Sequence, residues 1–414
     1  MTPTQARLLQ ERAGGAGPRP LVVALELDGA VDGDRLDAAW RELQRRHPFL
    51  RLRLTSRGPV ASEQVRPLVR GDLPGARASF QADAAQILAM AARPRDLSME
   101  GPAEAVWLRT GPEAGLLICS VDHVASDGWA FGLLASEWSA LYAGQSLAPS
   151  PDPVPILEKY GDPDRTKSYA EAVRSLVEEF DGARPFPLPH SRAGWAFQQV
   201  DLPLDVVKEA RTRAAKERST AFAFGLAALG RALWMEHGSE DLVVSTHVAN
   251  RSVPQSQHIV CAAYNTVPMR LSGQNTDELR SWAGSAKQAI LQALKRQHVP
   301  FSVARQTLSD RIAPEALLRV MINFDEHPFL GFALPGVEMR EAVLVDQARL
   351  GAGLNAPLFS TSTRPWPAGI TVSFRETWDC LQLYVHYGDE LGHRAATMLL
   401  GRVTEGIALL TTSD

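Results

Sequence analysis

An apolar run, LLICSV at residues 116–121, passes directly into the heptapeptide DHVASDG (residues 122–128) and then into a helical pattern, WAFGLLASEWSALY (residues 129–142). A short continuous apolar run reads as a strand covered on both faces, and the apolar spacing after Gly128 reads as a helix. The chain must therefore build a strand, a tight loop and a helix in succession, with the chemistry-bearing residues on the loop. A histidine placed there is held by rigid backbone yet open on one side. Its ordinary pKa near 6.5 suits proton transfer at neutral pH, which makes His123 the candidate catalytic residue. Gly128 at the helix start lets backbone and substrate come close, and the first N–H groups of the helix can receive developing negative charge. Asp127 sits where a carboxylate is favourable both as a cap and against the helix dipole. It either serves the architecture, as a cap or as the partner of an arginine, or touches substrate.

The 414 residues suffice for two lobes, since single cores seldom grow past about 250 to 300 residues. The expected division is 1–165, carrying DHVASDG, and 166–414. A 45% hydrophobic and 22% charged composition is that of an ordinary soluble globular protein. The net charge of −4 speaks against a nucleic-acid surface, for which a basic face is needed. Cys119, Cys261 and Cys380 are isolated and read as small core residues, without a disulfide framework or a CxxC metal site. His247, His258 and His327 lack ligand spacing, so no metal is implied. No apolar run approaches the roughly 20 residues of a membrane span, and residues 1–15 lack the apolar core of a signal peptide, so a cytoplasmic protein with no membrane association is expected.

Along the chain, strands are expected at residues 21–28, 49–54, 105–109 and 116–121, with helices at 33–47, 82–92 and 129–142. This alternation implies an α/β first lobe. Residues 144–164, rich in Pro, Gly, Ser and Asp, read as a linker. A helix at 166–180 follows, and PFPLPH (185–190) forbids regular structure. The second lobe is expected to hold a strand at 195–203, helices at 204–218 and 220–237, strands at 369–378 and 381–387, and a terminal helix from about residue 390. GAGLNA (351–356) matches a loose dinucleotide fingerprint, but Pro357 would interrupt the helix that must follow, so it reads as a turn. GxxxxGK[ST], HExxH and GxSxG are all lacking, and with them the local signatures of nucleotide hydrolysis, zinc proteolysis and α/β-hydrolase chemistry.

HxxxDG between a strand and a helix resembles the HHxxxDG signature of nonribosomal peptide synthetase condensation domains and their acyltransferase relatives. Other segments resemble that family in order: RPRDLSMEGPAEAVWLR (93–109), DLVVSTHVANR (241–251), AAYNTVPMRL (262–271), VPFSVARQTL (299–308) and VMINFDEHP (320–328). The resemblance implies two chloramphenicol-acetyltransferase-like lobes forming a V with a central tunnel, an α/β (α+β) architecture. His123 matches the second histidine, on which the family relies. Asp122 departs from the first. A carboxylate there either raises the imidazole pKa and orients the ring, or is a variant packed away from substrate. The family pairs its signature aspartate with an arginine, and Arg270, closing NTVPMR, is the expected partner of Asp127; the alternative is an ordinary strand-end arginine. Asp122, on the first of its two readings, Trp129, His247 and Asn265 are expected near the substrate.

The activity implied is that of an acyltransferase joining a carrier-bound acyl or aminoacyl thioester to an amine or alcohol. No cofactor is implied beyond the phosphopantetheine arm of an acyl or peptidyl carrier protein, or coenzyme A, delivered with the substrate. With no adenylation or carrier sequence around the motif, a free-standing domain is expected. A transferase using coenzyme A thioesters directly, and a catalytically silent module that recruits a carrier-bound intermediate, are the alternatives.

Overall fold

The computed structural model describes residues 1–14, 20–56, 58–73, 95–161, 167–187, 195–238, 240–272, 277–342, 369–388 and 391–412. Its contacts form two units. The first comprises Met1–Gly161, Arg251–Ala263 and Pro328–Arg364; the second comprises Asp162–Asn250, Tyr264–His327 and Pro365–Asp414. This corrects the expectation of two contiguous lobes, 1–165 and 166–414. The two later segments leave the second lobe because they carry their own bonds into the first unit, as set out below.

In the first unit, β1 (Pro20–Asp28), β4 (Val69–Asp72), β5 (Ala103–Gly111), β6 (Ala114–Asp122) and β11 (Glu338–Glu341) form a sheet in the order β11-β1-β6-β5-β4. Only β4 and β5 are parallel. β6 is the central strand and is buried from Gly115 to Asp122, which is why it reads as unbroken apolar sequence. The strand pattern at 49–54 resolves differently. Pro48–Arg51 form a 3-10 turn and β2 (Leu52–Thr55) starts only after it, because Pro48 has no N–H for a ladder and fixes its φ near the helical value. Among the described residues β2 pairs with β3 (Gly58–Ala61) in a two-stranded sheet.

Helix α1 (Pro3–Ala13) begins with a capping box between Thr2 and Gln5. Helix α2 (Gly33–Arg46) is capped by Asp32 and buries Leu36, Ala39, Trp40, Leu43 and Gln44 at helical spacing. It packs on α3 (Gly128–Tyr142) through Trp40 and Trp138, whose ring centroids lie 5.1 Å apart, and Phe329 and Phe332 close over Trp138. The expected linker contains a helix, α4 (Pro153–Gly161). Pro is tolerated in a first helical turn, and Ile156, Leu157 and Tyr160 are buried against Ile259, Cys261 and Ala263. That packing partner lies about a hundred residues further on, so local composition conceals the helix. The expected helix at 82–92 and GAGLNA lie outside the described residues.

The second unit has a six-stranded sheet: β7 (Trp195–Pro203), β8 (Asp241–Val248), β9 (Asn265–Ser272), β10 (Val320–Glu326), β12 (Ile370–Glu376) and β13 (Cys380–Gly388), in the order β7-β13-β12-β10-β8-β9. β8, β10 and β12 run parallel and the edges antiparallel. Around it lie α5 (Lys167–Glu179), α6 (Leu204–Lys216), α7 (Ala221–His237), α8 (Leu279–Lys295), α9 (Phe301–Leu308) and α10 (Gly392–Thr412). Residues Ala223 to Leu233 of α7 are buried on every side, in a core shared with α8, α10 and the sheet. Cys119 and Cys261 are buried and Cys380 is half-buried, and burial pushes the thiols of Cys119 and Cys261 up to about 12 and about 11. Among the described residues no helix is long and apolar enough to cross a membrane.

Gly29, just after β1, has φ +141°, and a Cβ there would lie 2.5 Å from the Gly336 carbonyl oxygen and 2.9 Å from Val337 Cα. Both neighbours are backbone and cannot swing aside. Gly29→Ala is expected to cost about 2 kcal/mol or more in urea unfolding; an unchanged midpoint would refute this packing of the 336–337 turn on β1.

Candidate functional site

The heptapeptide forms the turn between β6 and α3. Where the ladder of β6 ends, side chains take over the backbone. Asp122 Oδ1 accepts the Val124 N–H at 3.1 Å, and the Ala125 N–H donates to the Asp122 carbonyl at 2.9 Å. Asp127 is the cap of α3, its Oδ1 accepting from Ala130 N–H at 2.9 Å, while its carbonyl accepts from Phe131 N–H at 3.0 Å. The two foremost N–H groups, of Gly128 and Trp129, have no acceptor within the helix itself. A Cβ built on Gly128 meets nothing within 4 Å, so packing does not demand glycine there.

His123 is half-buried, and its Nδ1 lies 2.7 Å from the Ser126 carbonyl oxygen. A carbonyl only accepts, so Nδ1 carries the proton and the lone pair of the neutral ring is on Nε2. Burial holds the His123 pKa below the ordinary imidazole value. The Ser126 carbonyl and the Asp127 carboxylate oppose that shift, the Arg7 charge assists it, and Asp122 opposes it least among these groups. At neutral pH the ring is the uncharged base.

Asp122 is buried, and its Oδ2 receives Arg12 Nη1 at 2.7 Å. Its carboxylate is thus spent on Arg12 and on the turn. Trp129 is exposed and donates from Nε1 to the Gln257 carbonyl at 3.1 Å.

The expected partner of Asp127 needs correction. Arg251, not Arg270, makes the pair: its Nη2 lies 2.8 Å from Asp127 Oδ1 and 2.9 Å from Oδ2, and Ala263 N–H donates to Oδ2 at 2.8 Å. Both side chains are almost wholly buried, 4% and 3% exposed. Arg251 also donates to the carbonyls of Ser256, Ile259 and Cys261. Arg270 instead forms a two-pronged pair with Asp241, both contacts at 2.8 Å, and binds the carbonyls of Glu179 and Asp181. The reason is register: Arg270 stands opposite Val243 on neighbouring β8, two residues from Asp241, within easy reach along the same ladder. Arg251 closes the segment DLVVSTHVANR, and that position was its only signal in sequence.

His247 and Asn265 belong to the second unit, as does Arg270, whereas Asp122, His123, Asp127, Gly128 and Trp129 share one turn of the first. His247 Nδ1 lies 3.1 Å from Thr266 Oγ1, and its ring meets Tyr264 edge-on. The Asn265 amide donates to the carbonyls of Gln297 and Val299 at 2.8 and 2.6 Å and accepts from Phe301 N–H at 3.1 Å. These bonds spend it on pinning the loop before α9, which argues against the substrate-lining role expected of it.

With this geometry in hand, the comparisons are specific. The chain belongs to the condensation-domain family, whose model matches residues 20–330. Condensation domains are acyltransferase-type enzymes that form amide bonds. The chain is 28% identical over 341 residues to the isonitrile lipopeptide synthase of Mycobacterium tuberculosis, an alignment covering 74% of this chain and 13% of that much longer protein. It shares its fold with the first condensation domain of the CDA synthetase (TM-score 0.78, 16% identity, covering 100% of this chain and 96% of that one). It is also similar to the X-domain solved in complex with OxyB from teicoplanin biosynthesis (TM-score 0.71, 17% identity, covering 99% and 93%).

Removing either partner of Asp127–Arg251 strands a buried charge. Asp127→Ala and Arg251→Ala are each expected to lose about 3–5 kcal/mol in denaturant unfolding. Arg270→Ala, at a pair about a fifth exposed, should lose about 1–2 kcal/mol. Equal losses at Arg251 and Arg270 would contradict the assignment.

Proposed function

We propose that the protein is a condensation-type acyltransferase that transfers an acyl or aminoacyl group from the phosphopantetheine thioester of a carrier protein to an amine or alcohol, with His123 as general base. The single observation that carries the reading is the Nδ1–Ser126 carbonyl bond, because it puts the basic lone pair of a neutral imidazole on Nε2. The acceptor nitrogen or oxygen attacks the thioester carbonyl carbon as Nε2 takes its proton, and the carbonyl π electrons move onto oxygen. The N–H groups of Gly128 and Trp129 offer that oxyanion two donors at the positive end of α3. Collapse of the tetrahedral intermediate breaks the C–S bond, and the departing thiolate recovers the proton from the imidazolium. No covalent acyl-enzyme is required. The Asp127–Arg251 pair acts at one remove, holding the start of α3 where these donors sit.

The pH dependence follows from the sign of the shift. A base must be unprotonated, so kcat/KM is retained above the His123 pKa and lost as pH falls through it. With that pKa below the ordinary imidazole value, the acid limb is expected below pH 6.5. His123→Ala should lower kcat by about 100- to 10,000-fold with folding intact; full turnover in this variant, with a competent donor and acceptor, would overturn the assignment. Supplying the same acyl group on a carrier and on coenzyme A separates carrier-dependent transfer from direct use of coenzyme A.

A second reading, a module that recruits rather than condenses, draws support from the likeness to the X-domain solved with OxyB and from Asp122 at the family's first histidine position. Tight carrier binding without product for any acceptor would favour it.

A further inference from the structure

The peptide that follows His123 is clamped at both of its polar groups. Val124 N–H is taken by Asp122 Oδ1 at 3.1 Å, and Val124 C=O is taken by Gln5 Nε2 of α1 at 3.0 Å. The same helix holds Asp122 itself. Arg12 Nη1 meets Asp122 Oδ2 at 2.7 Å, and the other prong of the guanidinium donates to the Arg95 carbonyl. Asp122 is 6% and Arg12 24% exposed at the side chain, so the contact is shielded from the solvent that weakens surface pairs. At its other end α1 donates from Thr2 Oγ1 to the Ala262 carbonyl, one residue before the Ala263 N–H that binds Asp127. One helix therefore touches both sides of the motif turn.

We propose that Arg12, acting through Asp122, is a positioning residue for His123: the fork of Arg12 fixes the Asp122 carboxylate, the carboxylate fixes the Val124 peptide, and the peptide fixes the turn that closes Nδ1 on the Ser126 carbonyl. The inference deepens the reading of His123 as the base and rests on it. It also gives Asp122 a definite task. A carboxylate accepts from Arg12 and from Val124 N–H at once, whereas a protonated histidine at 122 would present only donors to both. Arg12 touches no reacting atom; its effect is on which imidazole nitrogen holds the proton.

The test is the tautomer of His123, read by nitrogen-15 NMR of the ring above its titration midpoint and assigned by the signal lost in His123→Ala. The native protein is expected to show the single form protonated on Nδ1. Arg12→Met and Asp122→Asn should both introduce the form protonated on Nε2, and the double variant should do no more than the worse single, since each breaks the same link. kcat should fall by up to about 100-fold in these variants while KM stays nearly unchanged. Should Arg12→Met fail to fold, Arg12→Lys carries the test: it keeps the charge but cannot hold Asp122 and the Arg95 carbonyl with one planar fork, so a tautomer mixture is again expected. A lowered melting temperature with the native single tautomer in Arg12→Met would overturn the proposal, leaving Arg12 a mere packing contact. A double variant whose effects add would overturn the coupling. If the tautomer shifts as expected but turnover persists even in His123→Ala, the positioning link stands and the catalytic reading falls.

Discussion

The first unit depends on one buried charge pair. A carboxylate removed from water is tolerated only when its lone pairs are filled, and Asp127 receives the Ala130 N–H, the Ala263 N–H and the Arg251 guanidinium. Arg251 in turn gathers three carbonyls of the segment Arg251–Ala263. The pair thereby fastens the start of α3 to a stretch of chain 124 residues away. The start of that helix is thus held by an electrostatic contact, while Phe131, Leu134 and Trp138 pack the rest of it into the apolar core.

Behind the pair, the division of labour among polar residues is clear. Those around the motif turn split into His123, proposed as the reactive group, and several that hold the turn. His123 keeps a neutral ring because burial disfavours its charged form, and neighbouring carboxylates moderate that effect without reversing it. Asp122, Asp127 and Gln5 spend their polar atoms on backbone and on arginines. In the second unit Asn265 and Arg270 do likewise, one securing the loop before α9 and the other the end of α5.

Local order was largely legible in the sequence. The apolar run of β6, the helical spacing of α2 and α3, and the capping role of Asp127 all follow from short-range physics that residues near in the chain decide among themselves. Thr2 and Gln5 with Pro3 between them also announce α1 by a local rule, a signal that a search for targeting segments passes over. What could not be read was anything decided at long range. Helix α4 hides in a Pro-rich stretch because its partners, Ile259 and Cys261, lie far along the chain. The choice between Arg270 and Arg251 turns on strand register against Asp241, not on either arginine's neighbours. The division into units escaped for the same reason: β11 returns to pair with β1 and Ala342 N–H donates to the Ala24 carbonyl, contacts with no trace in local pattern.

The interleaving of the two units bears on how the protein is made. A nascent chain that has delivered β6 and α3 holds a carboxylate whose guanidinium partner has not yet been synthesised. At ordinary ribosomal speed of about 5–20 residues per second, the 124 residues from Asp127 on to Arg251 take about 6–25 s to appear. During that interval the motif turn is without its anchor, and β1 still waits longer for β11. The first unit therefore reaches its finished form only after Asp162–Asn250 and Tyr264–His327 of the second have been translated, so its assembly is coupled to synthesis of chain that belongs to the other unit.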